Sequence, residues 1–279
     1  MKKYLSFLGV ILLLAVAFRL GVFVGENENS PSVLGESSMP VPTLQATPTL
    51  VKPYPSQVIN LTNWKITLPF GTVQEPSHPL EVKQPDLATY KIDPWFTITP
   101  DGTGIVFRAP VTGVTTGGSK YPRSELREMT DNGSKPAGWS STKGKHTMFL
   151  DEAVTAVPKV KKQIVAGQIH DDNDDIIVIR LDYPNLYVNV NGKNVSTLDS
   201  HYTLGKRFTV KFVVIGGKTN VYYNGGDKPA YILNQSYSNS YFKTGVYTQS
   251  NCSKEKSSSL CSPDNYGEVV VYRAEVTHQ

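Results

Sequence analysis

With 279 residues, 39% apolar and 10% aromatic, the chain is long enough to bury a sizeable core, and its net charge of +4 is too small to single out nucleic acid as a partner. Residues 1–55 carry Lys2, Lys3, Arg19 and Lys52 against Glu26, Glu28 and Glu36, so the remainder keeps +3. That mild excess helps retain an acidic polymer without specifying one.

Lys2 and Lys3 precede an apolar run from Tyr4 to Phe18, which Arg19 interrupts before a second piece, Leu20 to Gly25. Residues 1–25 therefore read as an export signal, either cleaved after the small residues Ala15-Val16-Ala17 or retained as a membrane anchor. Residues 26–55 are rich in Pro, Ser, Thr and Asn and read as an extended linker, as a tethered protein needs. The expected location is outside the cell, secreted or held on the outer face of its membrane. Residues 56–279 are then one catalytic-sized domain, expected to be a monomer.

In that domain short alternating runs are separated by Gly, Pro, Asn and Asp, and no long helical period appears. The predicted strands, in order, cover residues 64–68, 104–109, 146–157, 160–170, 176–181, 186–190, 208–215, 220–223, 242–248 and 268–277. Asn191-Gly192 and Asn224-Gly225-Gly226 supply the positive-φ residues that hairpin turns require. Ten or more strands without helices predict an all-β sandwich or jelly roll, with a groove on one sheet face. The two cysteines, Cys252 and Cys261, lie close together in a chain that carries an export signal, so they read as one disulfide, contributing about 2 to 3 kcal/mol.

Three segments carry chemistry. In Tyr121-Pro122-Arg123-Ser124-Glu125-Leu126-Arg127, strand periodicity puts Arg123, Glu125 and Arg127 on one face. This is either a solvated sheet face or a pair of guanidiniums, one held by Glu125, that receives a carboxylate. In Gly167-Gln168-Ile169-His170, Gln168 and His170 share a face; the acidic run Asp171 to Asp175 that follows lacks the glycine and terminal glutamate of a calcium-binding hand and reads as a solvated turn. In Tyr241 to Gln249, the side chains of Tyr241, Lys243, Tyr247 and Gln249 share a face, and Gly245 leaves either a gap for a sugar ring or a bulge.

Arg-Ser-Glu-Leu-Arg, Gln-Ile-His and Tyr-Phe-Lys-Thr-Gly-Val-Tyr-Thr-Gln, in this order, resemble the three signature blocks of the family 7 polysaccharide lyases, which are alginate lyases. The similarity extends to Leu61 to Pro69, to Trp139-Ser140-Ser141 and to His146-Thr147-Met148, so it covers nearly all of residues 57–279. Thr244 departs from the family's alanine, on the inward face where it alters packing.

The resemblance implies cleavage of a polyuronate by β-elimination, without metal or cofactor, leaving a 4,5-unsaturated end. Arg123, Gln168 and His170 match the set that neutralises the substrate carboxylate, which must be done before the weakly acidic C5 proton can leave. Tyr247 matches the proton-transfer residue, acting as base and acid on mannuronate, or as acid with His170 as base on guluronate. Ile169 between Gln168 and His170 accompanies acceptance of guluronate-containing blocks. Glu125 is expected to orient Arg123 or Arg127, and Arg127, Tyr241, Lys243 and Gln249 to line the substrate groove. Two readings compete with a lyase of alginate: a binding module without activity, and a lyase of another polyuronate. A jelly-roll glycosidase would need two carboxylates at even strand spacing; Glu125 and Glu128, three apart, fall on opposite faces.

Overall fold

The computed structural model describes residues 53–279, so the predicted export signal and nearly all of the linker lie outside the described residues. The described part is built almost wholly from strands, sixteen among the described residues. They are β1 (Trp64–Thr67), β2 (Glu81–Val82), β3 (Phe96–Ile98), β4 (Ile105–Pro110), β5 (Arg123–Thr130), β6 (Lys135–Pro136), β7 (Lys145–Ala156) and β8 (Gln163–His170), followed by β9 (Asp175–Asp182), β10 (Asn185–Val190), β11 (Lys193–Asp199), β12 (Phe208–Ile215), β13 (Lys218–Tyr223), β14 (Tyr231–Asn234), β15 (Tyr241–Thr248) and β16 (Tyr266–His278).

The strands form two antiparallel sheets. One runs β11-β10-β9-β8-β15-β5-β1-β2, with β6 beside β5; the other runs β14-β13-β12-β7-β16-β4-β3. This is the predicted jelly-roll sandwich. All ten predicted strands appear, the fourth beginning at Gln163 rather than Val160 because Lys161 turns the chain with its carbonyl on the Gln163 amide. The short or polar strands β2, β3, β6, β11 and β14 were not predicted, since two to four residues, or a run such as Lys-Asn-Val-Ser-Thr, give no apolar period. A one-turn helix, α1 (Cys252–Glu255), and three short 3-10 turns at Pro55–Gln57, Asp86–Thr89 and Ser258–Leu260 depart from an all-strand reading; Asn251 caps α1, and the Cys252–Cys261 disulfide closes the same loop.

Alternation explains why the sheets stick together. On β5, Ser124, Leu126 and Glu128 point between the sheets while Arg123, Glu125 and Arg127 point to the other face. On β15, Phe242, Thr244 and Val246 point inward, and Thr244 is fully buried on that face as expected. Phe96, Phe107, Phe208, Phe212 and Phe242 are all buried in the core, each contributing about 1.5 to 3 kcal/mol. Asn191 and Gly192 both have positive φ, as the hairpin joining β10 and β11 requires.

Candidate active site

The order β8-β15-β5 sets the three sequence blocks on adjacent strands. Lys243 on β15 stands opposite Gln168 on one side and Arg127 on the other, and Tyr247 stands opposite Arg123. Together they floor a groove of about 340 Å³ lined by Arg123, Arg127, Gln168, His170, Tyr241, Lys243 and Tyr247, and by loop residues of 116–119 and 172–175. β1 and β2 extend its wall with Lys65, Thr67 and Glu81. These three, and Ser119, were not predicted: nothing in the sequence shows which strand lies beside β5, and 116–119 is a Gly/Ser loop without period.

Beneath the floor sits Glu125, fully buried. One oxygen receives Arg123 Nη1 at 2.9 Å and Lys243 Nζ at 2.5 Å, and the other receives Gln168 Nε2. Burial alone would push this carboxyl up; Lys243 and then Arg123 outweigh it, so it stays ionised and its pKa falls below the usual range. Glu125 therefore lies outside the groove lining and holds three donors that line it, Arg123, where Arg123 or Arg127 was expected, together with Lys243 and Gln168. It binds Arg123 and not Arg127. Arg127 instead donates to the Glu128 carbonyl at 2.7 Å and lies 3.9 Å over the ring of Tyr241.

Gly245 also differs from the gap reading. It lies in a bulge where the β15–β8 register shifts, at φ +128°, and a side chain there would meet the Ser124 carbonyl at 2.6 Å and Phe107 at 2.9 Å. The space its missing side chain leaves is on the core side. Gln249 is buried at 8% exposure, with Nε2 unpaired, beyond the groove-lining set. Ile169, fully buried, packs into the core and is not among the residues that line the groove.

Burial, then repulsion from Arg123, pushes Lys243 down to about 8 even with Glu125 beside it. Burial and then Lys243 push His170 down as well, favouring its neutral form. His170 Nδ1 lies 2.6 Å from the Asp171 carbonyl and 3.1 Å from the Tyr241 hydroxyl; the nearer carbonyl can only accept and the hydroxyl can accept too, so Nδ1 carries the hydrogen and Nε2 the lone pair. Arg123 spreads over the ring of Tyr247 at 4.0 Å, and its buried Nε has no partner. Tyr247 OH is 2.9 Å from Ser119 Oγ. At the acidic end of the groove, burial and Asp174 push Asp175 up to about 6.

A groove with four cationic side chains, Lys65, Arg123, Arg127 and Lys243, is built for carboxylates. A larger cavity of about 680 Å³, between Trp64, Met129, Trp139 and Val276, has no Lys or Arg in its lining and does not share this chemistry. Comparison with known proteins decides among carboxylate polymers: the alginate lyase family pattern matches residues 59–278. The chain belongs to the alginate lyase family. The alginate lyase of Corynebacterium sp. is 46% identical, with a TM-score of 0.77, over 82% of this chain and 100% of that one. Alginate lyase AlgAT5, of polysaccharide lyase family 7, is 47% identical, with a TM-score of 0.75, over 81% and 99%. An alginate lyase of Klebsiella pneumoniae is 25% identical over 81% of this chain and 92% of its own length. The chain is thus a polysaccharide lyase whose substrate is alginate, and the reading as a binding module without activity falls away.

Proposed function

We propose that this alginate lyase cleaves guluronate-containing blocks by β-elimination, with His170 as base and Tyr247 as acid. The substrate carboxylate lies against the Arg123 guanidinium, with Gln168 donating alongside. His170 Nε2 takes the C5 proton; the electron pair left at C5 forms the C4–C5 double bond as the C4–O4 bond breaks; the departing O4 takes the Tyr247 phenol hydrogen. The observation that carries this assignment is the Asp171 carbonyl on His170 Nδ1, which leaves a neutral imidazole with its lone pair on Nε2. Ile169 supports the block preference only indirectly, through the strand that carries Gln168 and His170. The export signal and linker read from residues 1–55 support an extracellular location, where a polysaccharide substrate is met.

The test is the ultraviolet absorbance of the unsaturated uronate product, followed on mannuronate-rich and guluronate-rich alginate with the wild type, His170→Gln and Tyr247→Phe. The expected result is faster cleavage of the guluronate-rich polymer and a loss of about 100-fold or more in either variant on it. A His170→Gln enzyme that kept its rate on guluronate blocks would show that another group removes the C5 proton.

A further inference from the structure

The loop before β5 folds back over the groove: the Val114 amide bonds the Pro69 carbonyl at 2.8 Å, and the Ser119 amide bonds the Thr116 carbonyl at 2.8 Å. This brings Ser119 Oγ to three groups at once. The Tyr121 carbonyl is at 3.0 Å, the Tyr121 amide at 3.2 Å and the Tyr247 hydroxyl at 2.9 Å. Tyr121 is itself held, with Lys161 Nζ 3.0 Å from its hydroxyl and its ring 6.3 Å from that of Tyr247.

The hydrogens can be counted. Serine has one to give and two lone pairs, the carbonyl can only accept, and the amide can only donate. While Tyr247 is a phenol, every group is satisfied in one arrangement: Ser119 donates to the Tyr121 carbonyl and accepts from both the Tyr121 amide and the Tyr247 hydroxyl. Once Tyr247 has lost its hydrogen, its oxygen can only accept. The Ser119 hydroxyl then has a better acceptor than the carbonyl, and a small rotation delivers its hydrogen to the phenolate, where a charge-assisted bond is about twice as strong as a neutral one.

We infer that Ser119 is a positioning residue for Tyr247, holding the phenol toward the groove before proton transfer and donating to the phenolate after it. The inference rests on the proposed role of Tyr247 as the proton donor. Because the stabilised charge exists only after the proton has moved, Ser119 acts on the transition state and hardly on substrate binding. Arg123 over the Tyr247 ring adds a fixed cation to the same oxygen's surroundings, and Ser119 supplies the one hydroxyl, among the described residues, within hydrogen-bond distance of it.

Steady-state kinetics on guluronate-rich alginate with Ser119→Ala, Ser119→Thr and Tyr247→Phe, each shown to unfold cooperatively, tests this. Ser119→Ala is expected to lose about 10- to 100-fold in kcat with KM changed less than about threefold, and Ser119→Thr, which keeps a hydroxyl on a half-exposed loop, to recover most of the loss. An unchanged kcat in Ser119→Ala, a loss confined to KM, or a threonine variant no better than alanine overturns the inference. Tyr247→Phe separates this from the underlying reading: if that variant remains active, it is the assignment of the acid that fails, whatever Ser119 does.

Discussion

At the scale of single residues, Arg123, Gln168, His170, Lys243 and Tyr247 were legible as a set because strand alternation puts each on a known face of its own strand. What was not legible is how they are tied together. Glu125 reads from the sequence as a partner of Arg123 or Arg127 alone, yet it lies under three side chains from three strands, because β15 runs between β5 and β8. Glu152 escaped notice altogether. It sits on β7 between the sheets, fully buried, with neither carboxyl oxygen hydrogen-bonded, and burial pushes it up to about 8. The sign follows from linkage: between the unfolded value near 4.5 and about 8, the folded chain holds a proton that the unfolded chain has lost, so stability falls as pH rises, by about 1.4 kcal/mol per unit, and levels off above 8. Glu152→Gln, which has the same shape and never ionises, is expected to remove that part of the slope. Urea unfolding at several pH values from 5 to 8 checks it; parallel stability curves for the two proteins would mean that Glu152 does not carry the proton.

At the scale of elements, ten strands announced themselves by apolar residues at every second position, and the remaining six did so weakly or not at all. β5 belongs with the legible ones only because its charged face was noticed as a pattern. Its partners β1 and β2 bring Lys65, Thr67 and Glu81 to the groove through register alone, with Lys65 opposite Arg127 and Thr67 opposite Glu125. The bulge in β15 is the element on which the site's geometry turns. It shifts the pairing with β8 by one residue between Lys243 and Tyr247, which face the groove together at the even spacing that alternation gives. Only glycine fits: at φ +128° a side chain is strained, and its first carbon would press on the backbone of β5. Gly245→Ala is therefore expected to cost about 2 to 4 kcal/mol and to lower kcat more than a change elsewhere in the core of equal cost, because β15 can accommodate it only by shifting away from β5. Thermal unfolding and kcat measured together check this; a variant as stable and as active as the wild type would show that the bulge tolerates a side chain.

At the scale of the whole molecule, two sheets meet through aromatic rings, and polar links cross between them: Thr248 Oγ1 donates to the Ala109 carbonyl at 2.9 Å, and a larger link centres on Glu128. Glu128, on the inward face of β5, accepts from His278 Nε2 on β16 at 2.6 Å, from Trp139 Nε1 at 3.0 Å and from the Phe242 amide of β15 at 2.9 Å. His278 in turn meets His146 of β7 through their Nδ1 atoms at 2.7 Å, and His146 stacks on Trp139 with ring centres 4.4 Å apart. The family resemblance picked out Trp139 and His146 as a block without giving them a task; the structure makes them part of this link. Its members are unequal. His278 is 39% exposed in its side chain, so water replaces it readily, and His278→Ala is expected to cost about 1 kcal/mol. Glu128 is 3% exposed, and without it the Trp139 and Phe242 donors lose their acceptor between the sheets, each at about 1 to 3 kcal/mol, so Glu128→Ala is expected to cost about 3 kcal/mol or more. The Phe242 amide precedes Lys243 in the groove floor, which ties the link to the site: Glu128→Ala should also weaken turnover, while His278→Ala leaves it close to normal. Urea midpoints and kcat for both variants decide it. Equal losses of stability would mean that solvent reaches Glu128 as easily as His278.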